Sequence, residues 1–202
     1  MANANRPSGL KPVAYLNGSP WNGQARRYYI PSTDVTAYYV GHPVTLGGTA
    51  DANGVASVAI GVAGSAIIGS IVGIEVATSG SSLQGTTLDL TLRSIPATKA
   101  KDYYVLVADD PNIIFEVQEG QTVALTALET GLNCNFLVAA GATTSSDSGT
   151  TTELAAPAAT ATLNLKLLGL AQRVDNAFGQ YAKWLVKINN HVYGSGTGTA
   201  GL

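Results

Sequence analysis

Asp102-Tyr-Tyr-Val-Leu-Val-Ala-Asp-Asp-Pro-Asn-Ile-Ile-Phe-Glu-Val-Gln118 decides the fold class. Tyr103, Val105 and Val107 alternate with Tyr104, Leu106 and Ala108, the period of two expected of a strand. Asp109-Asp110-Pro111-Asn112 supplies turn residues with proline placed for a tight turn. Ile113 to Gln118 resumes the strand pattern, so 102–118 reads as a β-hairpin with a four-residue loop. The C-terminal stretch Gly179-Gln-Tyr-Ala-Lys-Trp-Leu-Val-Lys-Ile-Asn-Asn-His191 alternates in the same way over Tyr181–Ile188. A tryptophan, a tyrosine and two lysines in one terminal strand point to a segment tied into a sheet or an interface.

The same reading extends outward. Arg26–Ile30, Thr36–Val40, Pro43–Leu46, Thr86–Arg93, Asn135–Ala139 and Thr160–Leu168 are expected strands. Asp51-Ala-Asn-Gly54 is a turn, and Asp175–Gly179 is a turn or a single helical turn. Thr122–Thr130 is expected to form one short helix, and the Ser/Thr-rich stretch Thr143–Thr152 a surface loop. Val55–Ile74 carries no charged residue and includes Gly69-Ser-Ile-Val-Gly73, a pattern shared with membrane helices. Four glycines, at 61, 64, 69 and 73, interrupt it too often for a good helix. It reads instead as two strands, Val55–Val62 and Ala66–Ala77. In the second, Ile68, Ser70, Val72, Ile74 and Val76 share one face, and Ile67, Gly69, Ile71, Gly73 and Glu75 the other.

The chain therefore reads as all-β, a jelly-roll-like β-sandwich or barrel. Residues 1–20, with Pro7, Pro12 and Pro20, form an extended N-terminal arm. Residues 21–193 form a single β domain, and 194–202 a flexible C-terminal tail. Composition agrees: 202 residues suffice for a real core, 23 are glycine, and only 12% are charged, about half the usual quarter. The net charge of −2 gives no electrostatic footprint for nucleic acid. The single cysteine, Cys134, excludes an intramolecular disulfide and reads as a buried small hydrophobe. No basic stretch followed by an apolar core marks a signal peptide, so the expected compartment is the cytosol or a particle assembled there.

Residues able to carry chemistry are few. Asp109 and Asp110 are adjacent and diverge, and Glu116 and Glu119 show no spacing that makes two carboxyls converge on one bond. Asp51-Ala-Asn-Gly lacks the acidic ligands that follow in a calcium loop. Gly194-Ser-Gly-Thr-Gly lacks the lysine of a phosphate loop. His42 and His191 sit at strand ends and do not make a metal site by themselves. No catalytic residue, cofactor or metal is expected.

Several motifs in order resemble one family. They are Arg6-Pro-Ser-Gly-Leu-Lys-Pro12, Tyr15-Leu-Asn-Gly-Ser-Pro-Trp-Asn-Gly-Gln24, Tyr29-Ile-Pro-Ser32, Val40-Gly-His-Pro-Val44, Ala50-Asp-Ala-Asn-Gly54, Gly69-Ser-Ile-Val-Gly73, Tyr104–Asn112 with Phe115-Glu-Val-Gln118, Gly131-Leu-Asn-Cys-Asn135, and Trp184–His191. Together they resemble the head cement or decoration proteins of tailed bacteriophages, and they span nearly the whole chain. His42 departs from the pattern, which has an acidic residue there. The resemblance implies a non-enzymatic virion protein. It would sit on the outer surface of an icosahedral capsid, fasten neighbouring copies of the major capsid protein, and assemble with itself as a dimer or trimer, with no nucleic acid or membrane partner.

Under that reading the contact candidates are Arg6, Leu10 and Tyr15 in the arm, Trp21, Arg26, Arg27, Tyr28 and Tyr29 just after it, and Lys183, Trp184 and Lys187 in the last strand. Tyr and Trp anchor interfaces because they bury large area behind a polar tip. Arg26, Arg27, Lys183 and Lys187 would meet an acidic capsid surface. The alternative is a carbohydrate-binding β-sandwich displayed on the particle, with exposed aromatic side chains as stacking platforms.

Overall fold

The computed structural model describes residues 3–77, 86–88, 92–120, 124–139, 151–154, 156–194 and 198–201. The strands of the first half are β1 (Lys11–Tyr15), β2 (Arg26–Ile30), β3 (Tyr38–Tyr39), β4 (Pro43–Ala50), β5 (Ala56–Ile60), β6 (Gly69–Ala77), β7 (Thr86–Leu88) and β8 (Ser94–Ile95). Those of the second are β9 (Tyr103–Ala108), β10 (Ile113–Glu119), β11 (Asn133–Cys134), β12 (Phe136–Ala139), β13 (Thr151–Leu154), β14 (Leu165–Leu170) and β15 (Lys183–Ile188). Of the expected helix at 122–130, the described residues 124–130 hold a single 3-10 turn, Ala127–Glu129. A capping box holds it: Thr126 accepts from the Leu128 amide, and Glu129 reaches back to the Thr126 amide at 2.6 Å. Of the Ser/Thr-rich stretch Thr143–Thr152 expected to be a loop, residues 143–150 lie outside the described residues, and Thr151 and Thr152 instead begin β13.

The all-β expectation is borne out, with two main sheets in a sandwich-like arrangement. The first has the order β11-β14-β15-β10-β13-β12, with β1 added to β10. Its two end strands, β11 and β12, are consecutive in the chain and separated only by Asn135, so the sheet closes on itself. The second has the order β4-β5-β2-β9-β6-β7, and a further β4–β6 pairing closes that sheet too. Closure pairs strand edges that would otherwise be open to another chain. Each ring has its own core. Phe115, Val117, Leu165, Trp184 and Val186 fill the first, and Tyr28, Ile30, Val44, Ile71, Ile74 and Val105 the second.

Two expectations are corrected. The segment 102–118 is an arch and not a hairpin. β9 pairs with β2 on one edge and β6 on the other, so both its edges are taken. The Asp109–Asn112 turn therefore carries the chain into the other sheet, where β10 pairs with β1, β13 and β15. In β6 the strict alternation fails because the register against β9 shifts between Ile71 and Gly73. The extra residue, Val72, is a β-bulge. It turns Ile74 to the same core as Ile71.

The N-terminal segment is extended, as its prolines dictate, but it lies on its own body. Pro12 is tolerated because β10 is the only named strand that β1 pairs with, its far side meeting just the Ser19–Trp21 turn through Val13, Ala14 and Tyr15. Leu10 is fully buried in the first core, its amide donates to Gly41 O at 2.9 Å, and Ser70 Oγ donates to Leu10 O at 2.7 Å. This approach requires glycine: a Cβ on Gly41 would meet Ser8 O at 2.3 Å. Residues 3–6 are held by polar contacts alone among those described: Asn3 to Ala177 and Gln180, Asn5 to Gln118, and Arg6 to Gln118 and Lys183. The C-terminal residues 198–201, expected to be flexible, are likewise bound, through Thr199 to Asn189 and Gly201 to Ala159.

A truncation prediction follows from this division. Removing residues 1–4 should leave the melting temperature within a few degrees of the full chain, because the bonds of Asn3 are exposed and exposed polar contacts contribute little. Removing residues 1–20 takes away β1 and Leu10 and should lower stability by at least about 3 kcal/mol, the scale of losing a buried leucine. Differential scanning calorimetry on the two truncations checks it.

Candidate functional site

Strand alternation sorts the sequence candidates. In β15, Trp184, Val186 and Ile188 point into the first core, so Lys183, Leu185 and Lys187 point outward. The register sets them against the outward side chains of neighbouring strands: Lys187 opposite Ile114 and Lys166, Leu185 opposite Glu116, and Lys183 opposite Gln118. Lys11 of β1 lies opposite Glu116 from the other side. Arg173, in the loop after β14, pairs with Glu116 at 3.0 Å. The outer face of the first sheet thus gathers Lys11, Lys166, Arg173, Lys183 and Lys187 around Glu116, with half-buried Ile114 and Leu185 between them. It is a basic plate with an apolar centre, on a chain whose net charge is −2.

Two features of this plate bear on its use. Lys166 and Lys187 face each other directly across β14 and β15. Like charges in that position lower stability, and the C-terminal segment offsets this in part, since Lys166 Nζ donates to Thr199 Oγ1 and Ala200 O at 3.1 Å. Lys183 is different. Burial pushes its ammonium down to about 8, and it donates to Arg6 O at 2.5 Å and Gln118 Oε1 at 2.9 Å. It fastens the N-terminal strap and is not a free contact.

The end of the sheet nearest Lys183 carries exposed apolar loop residues. Val174 is 94% exposed and Phe178 48%, both between β14 and β15, and Leu128, on the 3-10 turn after β10, is 87% exposed. Phe178 packs on Trp184 with ring centroids 5.7 Å apart. At this end Glu119 is fully buried and accepts from Trp184 Nε1 at 3.3 Å. Burial raises its carboxyl to about 7, and the Leu125 amide and the Trp184 indole lower it in part.

At the opposite end of β10 the arch shapes a polar cleft of about 410 Å³, lined by Tyr15, Gln24, Arg26, Asp109, Asp110 and Tyr193 among others. Tyr28 O–H donates to Asp109 Oδ2 at 2.7 Å and lies 3.1 Å from the Tyr193 hydroxyl. Arg26 Nε is 3.3 Å from Asp109 Oδ2, and its guanidinium sits over the Tyr193 ring at 5.8 Å. Burial, with these bonds, holds the Tyr28 phenol far above its ordinary range.

The structure therefore divides the candidates. Lys183, Lys187 and Arg6 belong to the basic plate and its strap; Tyr15, Arg26 and Tyr28 meet at the cleft. Arg27 and Tyr29 lie on the outer face of the second ring, where Arg27 pairs with Glu75 at 2.7 Å and lies over Tyr104. Three contact assignments are corrected. Leu10, Tyr28 and Trp184 are buried: alternation turns Tyr28 and Trp184 inward, and Leu10, just before β1, packs into the first core. Trp21 is half-buried against the first core. The sequence reading missed Lys11, Lys166, Arg173, Gln24 and Tyr193, which reach these sites only through register and the arch.

The residues weighed for chemistry are otherwise engaged. Glu116 points outward and Glu119 inward. Asp51 accepts the Asn53 and Val55 amides and the Tyr104 hydroxyl. His42 is buried, its ring edge against Tyr39 and its Nδ1 accepting from the Tyr39 amide. Cys134 is buried, its thiol pushed up to about 12. No described helix is long and apolar enough to cross a membrane, and the 55–74 run is β5, a loop and the start of β6. No family model, curated protein or solved structure matches this chain.

Proposed function

We propose that the protein is a non-enzymatic cement protein that binds the outer surface of a tailed-phage capsid and fastens neighbouring subunits of the major capsid protein. The ordered motif resemblance supports this reading, and the observation that carries it is the basic plate on the first sheet. Lys11, Lys166 and Lys187 gather there beside the Arg173–Glu116 pair on a chain of net negative charge, and Lys166 and Lys187 are directly opposed. An acidic capsid surface would relieve that opposition, and Ile114 and Leu185 would supply an apolar centre inside a charged rim. Val174, Phe178 and Leu128 extend the contact at the adjacent end. Closed rings suit the role, because a module repeated in many copies must not pair edge to edge with its neighbours. Modest contacts at each copy become strong retention when the protein assembles with itself as a dimer or trimer.

Cosedimentation tests the reading. The purified chain, mixed with undecorated expanded shells of the parent phage, should pellet saturably at a fixed ratio per capsomer. Binding that rises without saturation, or none at all, would remove the cement function.

A further inference from the structure

We infer that the cleft at the arch is a binding site for a neutral saccharide. The cleft lies at the Ile113 end of β10, where Tyr15 pairs. The basic plate's strap is at the Gln118 end; its Lys187, opposite Ile114, comes near the cleft but none of the plate's cations lines it. Three properties define its chemistry.

The first is a stacking platform. Tyr193 is 43% exposed, and its ring is held by the guanidinium of Arg26, by the His191 ring at 6.1 Å and by its hydroxyl's contact with Tyr28. A pre-positioned aromatic ring offers its face to the C–H side of a pyranose with little ordering cost. The second is a convergent set of hydrogen-bonding groups of both kinds. Asp109 and Asp110 accept, Arg26 donates, and the Gln24 amide does both. Adjacent sugar hydroxyls, each donor and acceptor, match that mixture. Asp109 is fixed by Tyr28 and Arg26, so its carboxylate is aimed before any ligand arrives.

The third property is charge. Two carboxylates face one guanidinium, and that guanidinium is already paired with Asp109. An anionic ligand such as a phosphate or an acidic sugar would meet net repulsion. A neutral sugar meets none. A volume near 410 Å³ falls at the small end of ordinary ligand sites and suits one or two sugar rings.

The test uses the full chain and ligand-observed NMR with glucose, galactose, mannose and N-acetylglucosamine, each at millimolar concentration. At least one should show saturation transfer. Tyr193→Ala should weaken its binding about tenfold, the scale of a lost stacking contact. Gln24→Ala, an exposed position, should weaken it less, and Lys101→Glu, on an exposed loop that does not line the cleft, should leave it unchanged. Circular dichroism confirms that the variants fold. Transfer from none of the four sugars, transfer that survives Tyr193→Ala, or binding by arginine methyl ester alone would each overturn the inference. Because none of the plate's cations lines the cleft, absence of sugar binding with intact shell binding would refute this site and leave the cement reading standing.

Discussion

Gly69→Ala is expected to destabilise the protein severely, while Gly73→Ala is expected to be tolerated. Gly69 lies where the second ring closes: it is opposite Val44 of β4, and Ser70 after it is opposite both Pro43 of β4 and Ala108 of β9. Its φ is +155°, and a Cβ would lie 1.9 Å from Ala108 O and 2.8 Å from the Ala108 carbonyl carbon. Those are backbone atoms of a buried strand and cannot move aside. Backbone strain and the clash together should remove at least about 3 kcal/mol, a large share of the stability of an ordinary domain. At Gly73 the nearest atom to an added Cβ is the Leu106 Cδ1 at 3.3 Å. That methyl ends a flexible side chain, so the change should stay within about 1 kcal/mol, and the loss of glycine entropy in the unfolded chain favours alanine. Urea denaturation of the two variants decides the matter. Equal sensitivity at both positions would contradict this account of the glycines.

The second large effect is a pH dependence of stability through Glu119. Its folded value of about 7, set mainly by burial, is above the ordinary 4.5. A carboxylic acid whose folded value is raised contributes fully below the unfolded value, and the contribution is lost as pH climbs from about 4.5 to about 7. The loss amounts to about 3 kcal/mol when complete. Glu119→Gln keeps the shape without the charge, so it should match the wild type at pH 5 and exceed it in denaturation midpoint at pH 8. Trp184, which donates to Glu119 at 3.3 Å, gives a local readout: its fluorescence, in a Trp21→Phe background, should titrate near 7 in the wild type and not in Glu119→Gln. Parallel pH profiles for the two proteins would show that Glu119 does not carry the effect.

Local patterns in the sequence located most strands. The alternating runs at 26–30, 103–108, 113–119 and 183–188 became β2, β9, β10 and β15, because each has one face on a core and one toward solvent. Pairing was not legible. Tyr103–Ala108 and Ile113–Glu119 look like partners across a tight turn, and only the occupation of both β9 edges forces the crossing. β1 was hidden by Pro12, which argues against a strand everywhere except at an edge. Val72 adds one residue to β6, and alternation cannot reveal a bulge without its partner strand. The candidate sites depended on the same nonlocal information. Lys183 and Lys187 sharing a face is a period-two fact visible in sequence; Lys166, Lys11 and Arg173 join them only through register. Tyr28 and Trp184 carry the residue types of interface anchors, and their burial follows from which strand face meets the core.

Charge reversal on the plate tests the central claim most directly. Lys166→Glu with Lys187→Glu, compared with the wild type and with Lys101→Glu on an exposed loop, would be cosedimented with expanded shells at low and high salt. The account predicts that the double variant loses at least about tenfold in affinity, that Lys101→Glu binds like the wild type, and that wild-type binding weakens as salt rises. Equal, salt-insensitive binding by all three proteins would contradict it.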